Sequence, residues 1–515
     1  MILLYHNGDN VVEMANASVF TIEKYSNLSI AAVLIAVAKD YPKEILIWCH
    51  QSLKEQLNNE EIASLYHHKK LMLSYNPSHT NFIDQNIGYI DASLFIGINT
   101  AVTFATWQIS SAVGGIPAEV LLALNNDFFL DKDFDYFLCS LAKRAMPIGL
   151  LCYSEPQLLK QGSKVVQKKN STYTLFRFVK QHYKTRWVFL LMLNLLLYER
   201  KFPVFPFLFS LFYKNRTVMN MDLDNIKVQS SRKVVNKAKV DVIIPTIGRS
   251  AYLYDVLIDF SKQTLLPHKI IIVEQNPIEG SISELDYLTN EKWPFEIEHI
   301  FIHQAGACHA RNLALNKTSS EWVFLADDDN RFGTTLLADV FDKIKQYGNP
   351  VVTTSYPQKN ENKKYTKVIQ WPTFGAGNSF VRRDLLDKVR FSPAFEFGYG
   401  EDGDFGMQLR NQGADVLYLP EPEIFHLKAP IGGFRTTLEL QWQNDIIKPK
   451  PSPTIMLYHM LHHTAAQMLG YKTILFFKYY KHQSIINPIS YYIYIRKQWG
   501  RSVFWANKLK QQNEI

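Results

Sequence analysis

The sequence predicts an α/β protein whose C-terminal half contains a mostly parallel sheet. The apolar, β-branched run 240–246 leads into a Gly turn, and helical apolar spacing follows over 251–263. A second strand pattern covers 269–274, and a third at 322–326 ends in three consecutive aspartates. This strand–helix–strand order predicts a parallel sheet, because the helix returns the chain to the edge where the first strand began.

The first 158 residues predict a separate N-terminal α/β domain, since their apolar runs have the length of strands. We expect a helix over 28–39, strands over 44–50, 70–75, 93–97 and 148–153, and a turn over 114–117 before a helix from Ala118. The domain has no phosphate loop, no His/Cys cluster with metal-ligand spacing and no nucleophile motif. Nothing in these residues indicates its role.

Two further segments carry an excess of positive charge: a basic, aromatic helical connection over 159–237 and a basic helical tail over 441–515. From Lys160 to Arg216 there are 12 Lys/Arg and one acid, and from 446 to 515 there are 10 Lys/Arg and one acid. The net charge of the whole chain is only +8, so the rest of the chain is acidic.

The connection also contains the apolar run 187–198, which is followed by Glu199-Arg200-Lys201. A run of 12 residues is too short to span a bilayer, which takes about 20. Cations interleaved with aromatic residues are typical of segments that lie on an anionic leaflet. We therefore expect peripheral membrane contact through 160–216 and the tail after 446; the alternative is a buried core helix followed by a linker broken by prolines. No nucleic-acid-binding motif accompanies the charge, so we expect no nucleic-acid partner.

The whole-chain features set the broad class. A length of 515 residues predicts two or three domains. The four cysteines, at 49, 139, 152 and 308, have no close spacing and favour a reducing compartment. The first nine residues lack the basic and apolar regions of a signal peptide. We expect a cytoplasmic protein, with the membrane contact on the inner face of the plasma membrane.

The acidic triplet Asp327-Asp328-Asp329 is the clearest chemical signal. A strand that ends in carboxylates places them at the carboxyl edge of the sheet, where open α/β folds bind ligands. Three adjacent like charges repel one another, and oxygen ligands suit a hard cation such as Mg²⁺ or Mn²⁺. The alternative is a solvated acidic turn before a helix.

Four more motifs accompany the triplet in a definite order. They are QAGACHARNLA at 304–314, GAGNSF at 375–380, GYGEDGD at 398–404 and IFH at 424–426. In this order the chain resembles the family 2 glycosyltransferases, which have the nucleotide-sugar-binding GT-A fold. The resemblance covers roughly 238–435 and predicts a transferase domain over 238–440, and we recognise no family in the N-terminal half.

The resemblance implies roles for the residues that would hold the nucleotide and the diphosphate. Pro245 and Thr246 end the first strand where family members line the nucleotide pocket. Glu274 and Gln275 stand where the family carries an acidic pair that touches the base, and the glutamine departs from that pattern. Arg311, with Asn312 beside it, resembles a brace for the acidic loop and the diphosphate; the alternative is a structural arginine on a helix surface.

The resemblance also implies a divalent metal, Mn²⁺ or Mg²⁺. Asp329 corresponds to the metal ligand of the Asp-X-Asp motif, and Asp327 to a group that reaches the ribose or the metal's water shell. Asp328 could exchange roles with Asp327. His426 stands where some relatives place a metal-binding or diphosphate-binding histidine, and a structural histidine is the alternative. Lys428 and 432–435 would form a loop over the diphosphate.

The GYGEDGD motif implies the catalytic base. Asp402 would remove the acceptor proton during an in-line displacement that inverts the anomeric carbon. Glu401 is the second candidate for the base, and Asp404 fits helix N-terminal chemistry. Gly375, Gly377 and Asn378 predict a loop whose backbone closely approaches a ligand; ordinary turn chemistry is the alternative.

The predicted function is that of an inverting, metal-dependent glycosyltransferase in cell-surface glycan biosynthesis. It would move a sugar from a nucleotide-sugar donor to a hydroxyl of a glycan or lipid-linked acceptor. One alternative is a catalytically degenerate domain that acts as a binding or scaffold module. A nucleotidyltransferase is a third hypothesis, which the Gly-Glu-Asp and Arg-Asn elements fit poorly.

Overall fold

The chain forms two compact units in a computed structural model that describes residues 1–16, 25, 28–78, 80–124, 131–160, 171–217, 221–430 and 440–513. One unit comprises 1–231 and 463–477, and the other 232–462 and 478–515. These limits differ from the predicted domain boundaries. Most of the predicted connection over 159–237 belongs to the first unit, and the predicted tail over 441–515 is divided between the two.

The first unit is built on a seven-stranded mixed sheet. Its strands are β1 (Ile2–His6), β2 (Val11–Ala15), β3 (Ile45–His50), β4 (Leu71–Tyr75), β5 (Phe104–Ala105), β6 (Val113–Pro117) and β7 (Leu151–Ser154). They lie in the order β2-β1-β3-β6-β4-β7-β5, with β1/β3 and β4/β7 parallel. All of these strands except the edge strand β2 are mostly buried, because their apolar side chains face helices on the sheet, as expected of an α/β domain.

Seven helices of the first unit pack on this sheet or on one another. They are α1 (Ile30–Asp40), α2 (Asn59–Leu65), α3 (Ala118–Leu122), α4 (Phe134–Ala145), α5 (Thr172–His182), α6 (Arg186–Asn194) and α7 (Val204–Leu211). A π-helical turn, Leu195–Glu199, continues α6. Helices α4, α5 and α6 contribute buried side chains to one apolar core with the sheet. The predicted connection is therefore, in large part, core structure of the first unit.

Two local predictions for this unit are wrong. Residues 93–97 form a 3₁₀ turn over Leu94–Ile96 instead of a strand, because the Asp91 carboxylate accepts the Ser93 amide at 2.8 Å and starts a turn. Residues 114–117 lie in strand β6 instead of a turn. A Cβ on Gly114 would lie 2.5 Å from the Trp48 ring, so glycine here permits close packing of a central strand.

The second unit is built on a nine-stranded sheet. Its strands are β8 (Val240–Thr246), β9 (Lys269–Gln275), β10 (Glu296–Ile302), β11 (Trp322–Ala326), β12 (Asn330–Phe332), β13 (Val351–Ser355), β14 (Ile369–Gln370), β15 (Asn378–Arg382) and β16 (Leu417–His426). The order is β10-β9-β8-β11-β15-β13-β16-β12, with β14 on β16. The strand pairs from β10 to β11 are parallel, as predicted, and the sheet is mixed beyond β11.

Helices complete the second unit and the C-terminal region. They are α8 (Ser250–Ser261), α9 (Tyr287–Asn290), α10 (Ala307–Leu315), α11 (Leu336–Tyr347), α12 (Glu401–Asn411), α13 (Pro453–His462), α14 (Ala465–Tyr480) and α15 (Pro488–Gln512). Residues of α14 up to 477 belong to the first unit. Among the described residues, no helix combines the length and the apolar character that crossing a membrane requires.

Candidate active site

A cleft of about 500 Å³ opens where β8, β9 and β11 end in the second unit. It is lined by Pro245, Thr246, Ile247, Arg249, Gln275, Ala305, Gly306, Ala307, Arg311, Asp327, Asp328, Asp329, Glu396, Phe397, Tyr399, His426, Lys428 and Ala429. Nine of the predicted site residues, Lys428 among them, are therefore together in one cleft. Predicted residues that do not line it are Glu274, Gly377, Asn378, Glu401 and Asp402. The loop predicted over 432–435 lies outside the described residues.

Asp328 is a buried member of the acidic triplet whose two carboxylate oxygens are both hydrogen-bonded to side chains. Its two oxygens accept hydrogen bonds from Thr246 Oγ1 and Arg249 Nη1, both at 2.7 Å. Burial raises the pKa of Asp328 to about 6, although the Arg249 guanidinium acts in the opposite direction. Asp328 therefore ties the end of β11 to the end of β8, while its two neighbours remain available to the cleft.

Asp329 and His426 meet because β12 pairs antiparallel with β16, with Asn330 opposite His426. His426 Nε2 lies 3.5 Å from Asp329 Oδ1, and the Ala429 amide donates to Asp329 Oδ2 at 2.9 Å. Burial alone would raise the pKa of Asp329, but the hydrogen bonds from His426 and Ala429 lower it. Burial of the ring alone would lower the pKa of His426, but the contact with Asp329 and the negative charges of Asp329 and Asp327 together raise it.

Asp327, Asp329 and His426 form a group with the composition of a metal site. One ligand atom from each residue lies within 4.8 Å of the other two. Asp329 Oδ1 is buried and has no hydrogen-bond partner at normal distance among the described residues. Two carboxylates and one imidazole fit Mn²⁺ well, since imidazole and oxygen ligands both suit that ion. The residues therefore fit the predicted divalent metal.

Arg311 is hydrogen-bonded to Asp327, and its predicted role at the diphosphate stays a prediction. Arg311 lies on α10 and is buried, and its Nη2 donates to Asp327 Oδ1 at 3.0 Å. Its pKa is raised, because the negative charges of Asp327, Asp402 and Glu401 outweigh the cost of burying the guanidinium. The neighbouring Asn312 has a structural role, since its amide group exchanges two hydrogen bonds with the Phe391 backbone.

The glycine loop before β15 approaches the same carboxylate. A Cβ on Gly377 would collide with Asp327 Oδ2, so only glycine leaves room for that side chain. The Gly377 carbonyl accepts from Asn330 Nδ2 at 2.8 Å. Asn378 is buried in the sheet and donates to the Thr354 carbonyl at 2.5 Å. In this structure the loop backbone therefore closely approaches Asp327.

Asp402 lies in the first turn of α12, after Gly400 with a φ of 116°. The Ala376 amide donates to its Oδ2 at 3.2 Å, and its buried Oδ1 has no hydrogen-bond partner among the described residues. Burial raises the pKa of Asp402. Burial and the charge of Asp402 raise the pKa of Glu401 to about 7. Two buried carboxyls thus share one helix start, close enough to Arg311 for its charge to affect both.

Glu274 and Gln275 point in different directions, because successive side chains alternate along β9. Glu274 accepts from Ser283 Oγ at 2.6 Å, from the Glu284 amide at 3.0 Å, and lies 2.9 Å from His299 Nε2. These contacts give it a structural role in the loop after β9. Gln275 lines the cleft and accepts the Gly306 amide at 2.6 Å.

Three residues of the site were missed in the sequence analysis. Arg249 Nη1 reaches both Asp328, at 2.7 Å, and Asp329, at 3.4 Å. Tyr356 donates to Asp327 and Asn330, and its ring stacks on His426 with centroids 4.6 Å apart. Glu396 accepts the Cys308 and His309 amides at the start of α10. The sequence did contain a signal for Arg249, because a cation directly follows the turn at the end of a strand. No sequence motif indicated that Tyr356 and Glu396 belong to the site.

Comparison with known proteins places the C-terminal half in one family. Residues 241–398 match the family model described as glycosyl transferase family 2. An uncharacterized glycosyltransferase of Rickettsia bellii is 25% identical over 153 residues, which cover 30% of this chain and 21% of the relative. The uncharacterized glycosyltransferase YwdF of Bacillus subtilis is 25% identical over 182 residues, which cover 32% of this chain and 66% of the relative. The chain therefore spans about a fifth and just under two thirds of these relatives.

Solved structures were also compared. TarS 1–349 of S. aureus in complex with UDP-GlcNAc shares 14% identity at a TM-score of 0.33, covering 53% of this chain and 74% of TarS. GalNAc-T7 with UDP, GalNAc and Mn²⁺ shares 12% identity at a TM-score of 0.31, covering 40% of this chain and 45% of the other. The family assignment therefore covers residues 241–398, which match glycosyl transferase family 2, and does not extend to the rest of the chain.

Proposed function

We propose that the protein is an inverting, metal-dependent glycosyltransferase that uses a nucleotide-sugar donor. The observation that carries the proposal is the group Asp327, Asp329 and His426 at the edge of a strand-end cleft. A solvated acidic turn would leave its carboxylates exposed, whereas Asp328 and Asp329 are buried here. Charged groups are held out of water at a cost, so a site that concentrates them favours a bound cation and an anionic ligand.

Donor binding is assigned to the residues that line the cleft. Pro245, Thr246 and Gln275 lie at the ends of adjacent parallel strands, where α/β folds receive nucleotides. Asp327, Asp329 and His426 would hold Mn²⁺ or Mg²⁺, which neutralises charge on a leaving diphosphate when it is bound. Arg311 keeps Asp327 oriented toward the other two ligand residues and adds a fixed positive charge near the proposed diphosphate site.

Asp402 is assigned as the general base. Its Oδ2 accepts the Ala376 amide, while the buried Oδ1 has no hydrogen-bond partner among the described residues, and we assign that oxygen as the acceptor of the hydroxyl proton. Its raised pKa makes it a stronger base than an exposed aspartate. The hydroxyl oxygen attacks the anomeric carbon as Asp402 takes its proton and the nucleotide leaves. A single displacement of this kind inverts the anomeric carbon.

The acceptor is proposed to be a hydroxyl of a glycan or a lipid-linked saccharide, and the product a cell-surface glycan. The reaction would occur in the cytoplasm at the inner face of the plasma membrane. The motivation is the basic, aromatic composition of 160–216 and of the tail after 446, which suits an anionic surface and gives no sign of a nucleic-acid partner.

The test is metal-dependent hydrolysis or transfer of a panel of nucleotide sugars, with Asp329→Asn as the variant. We expect Mn²⁺ to raise the midpoint of thermal unfolding together with one nucleotide sugar, and Asp329→Asn to lose that joint shift. Asp384→Asn is the matched control, since its carboxylate is exposed and pairs with Arg382 away from the cleft. Full wild-type activity in excess chelator would refute the metal dependence. Absence of any donor binding would instead favour a degenerate domain that acts as a scaffold.

A further inference from the structure

Helix α7 in the first unit has its apolar residues on the outside. Its sequence, VFPFLFSL, contains one polar side chain, Ser210, and that is the one residue of the helix that is buried. Phe205 and Phe209 are 68% and 58% exposed, and Phe212, directly after the helix, is 86% exposed. A helix in contact with water normally shows the reverse pattern, with its apolar side chains facing the core.

Helix α6 and the turn after it extend this apolar surface. Phe189, Leu196 and Leu197 are exposed, while Asn194 is completely buried and accepts from Thr473 Oγ1 at 2.7 Å. The rings of Phe189 and Phe207 have centroids 5.2 Å apart, so α6 and α7 join laterally. We call the exposed residues Phe189, Leu196, Leu197, Phe202, Phe205, Leu208, Phe209 and Phe212 the aromatic face. Contiguous apolar surface of this kind indicates an interaction site.

Exposed cations are positioned at the ends of the two helices that carry the aromatic face. Lys184 and Arg186 precede or begin α6, Arg200 and Lys201 follow it, and Lys214 follows α7. Glu199 is the one acid between 171 and 217. Two other cations of this region, Arg177 and Arg216, form ion pairs with the buried Asp131 of the same unit. Lys201 pairs with Glu199 at 3.4 Å, and no second acid lies within 171–217. The surface therefore combines apolar rings with an excess of positive charge.

We propose that the aromatic face docks the protein on the surface of an anionic lipid bilayer. Phenyl rings and leucines would enter the interfacial region while the flanking cations contact anionic headgroups. Helix α7 has eight residues and a length of about 12 Å, so it would lie within one leaflet. A second copy of this chain is a poorer occupant, because pairing two such faces would bring like cations together. This inference is independent of the proposed catalytic chemistry.

The test is co-sedimentation of the full chain with vesicles of phosphatidylcholine alone or mixed with phosphatidylglycerol. We expect binding to the anionic vesicles that weakens as salt screens the charges. The combined variant Phe205→Ser, Phe209→Ser, Phe212→Ser should reduce partitioning by about tenfold for each ring removed from the interface. The combined variant Lys184→Gln, Arg186→Gln, Lys201→Gln should reduce binding to anionic vesicles by roughly fivefold for each charge.

The matched control is Ile278→Ser with Ile282→Ser, which removes two exposed apolar side chains from a loop of the second unit. It should bind vesicles like the wild type, and all variants should keep the wild-type circular dichroism spectrum. Wild-type protein that fails to sediment with anionic vesicles at low salt would overturn the proposal. So would a serine variant that binds like the wild type, or a wild-type dimer that dissociates in the serine variant without any vesicle binding.

Discussion

Two regions, the site of the second unit and helices α6 and α7 of the first, depart from the usual distribution of side chains in opposite directions. The second unit buries charge: Asp328, Asp329, Arg311 and Glu401 are each less than a tenth exposed. The first unit exposes aromatic rings on α6 and α7 while it buries Ser210 and Asn194. Each departure has a cost in water, since buried charge loses hydration and exposed rings order solvent.

The comparison shows where each unit would gain from a ligand. Buried carboxylates are stabilised by a cation or a donor, and exposed rings by an apolar environment, so the sign of the departure indicates the chemistry of the partner. Elsewhere the core of each unit is apolar. Single charged groups are also buried in the first unit, such as Asp91, and single apolar side chains are exposed in the second, such as Ile282, so it is the clustering in one cleft and on one face that is informative about function.

The largest expected effect is that of Asp402→Asn. The amide keeps the size of the side chain but cannot take up the acceptor proton, so transfer should slow by about 10²–10⁴-fold. Donor binding, measured by thermal shift with Mn²⁺, should change little. A rate within a few fold of the wild type would transfer the role to Glu401, and product with a retained anomeric configuration would contradict the single displacement.

A second prediction contrasts two phenylalanines of the first unit. Phe178 is completely buried, and Phe178→Ala should lower the free energy of unfolding by about 3–5 kcal/mol through the cavity it leaves. Phe209 is largely exposed, and Phe209→Ala should change the free energy of unfolding by no more than about 0.5 kcal/mol. Urea denaturation measures both. Equal losses of unfolding free energy in the two variants would show that α7 contributes to the core. The contrast between the exposed rings of the first unit and the buried charge of the second would then be wrong.

The third prediction uses the pKa of Glu401, which is raised to about 7 in the folded protein. A raised carboxyl pKa means that the folded state binds the proton more tightly, so its contribution to stability is present at pH 4 and is lost as the pH rises through 7. The free energy of unfolding of the wild type should therefore fall between pH 4.5 and pH 8 by up to about 3 kcal/mol more than that of Glu401→Gln, which has no carboxyl group to titrate. Urea denaturation at both pH values, with the exposed Glu291→Gln as control, would show it; identical pH profiles would contradict the buried charge.

The smallest expected effect concerns Tyr356, which contacts Asp327 through its hydroxyl and His426 through its ring. Tyr356→Phe keeps the stacking and removes the hydrogen bond, so Mn²⁺ should bind about 10-fold more weakly. Tyr356→Leu removes both and should weaken binding further. Calorimetric titration with Mn²⁺ measures the affinity without any turnover. Unchanged affinity in both variants would show that Tyr356 does not position the ligands.

Much of the second unit could be predicted from local pattern. The parallel strands β8, β9 and β11 have continuous apolar runs, and strand ends of a parallel sheet converge, so Pro245, Thr246 and Asp327 were placed together correctly. Gly114 and Gly115 show the opposite case. They were interpreted as a turn, although their small size serves a strand crowded by Trp48 and Tyr66.

The domain limits also depended on packing. The connection predicted over 159–237 joins the first unit because one side of α5 and α6 is apolar and packs into that core. The composition of this segment shows that it is basic and rich in aromatic residues, but composition does not indicate which side chains face outward. The aromatic face became visible only when burial was known for each residue.

The sequence by itself determined the α/β class and the family that residues 241–398 match, because these depend on periodicity and on motifs within a few residues; metal binding by the acidic triplet stays a prediction. Tertiary structure decided which groups meet across long separations. His426 reaches Asp329 through the pairing of β12 with β16, and Tyr356, directly after β13, reaches Asp327. The tertiary structure also places the Glu274 carboxylate in hydrogen bonds to the loop that follows β9. Contacts of this kind depend on the register and packing of distant segments, which no local pattern specifies.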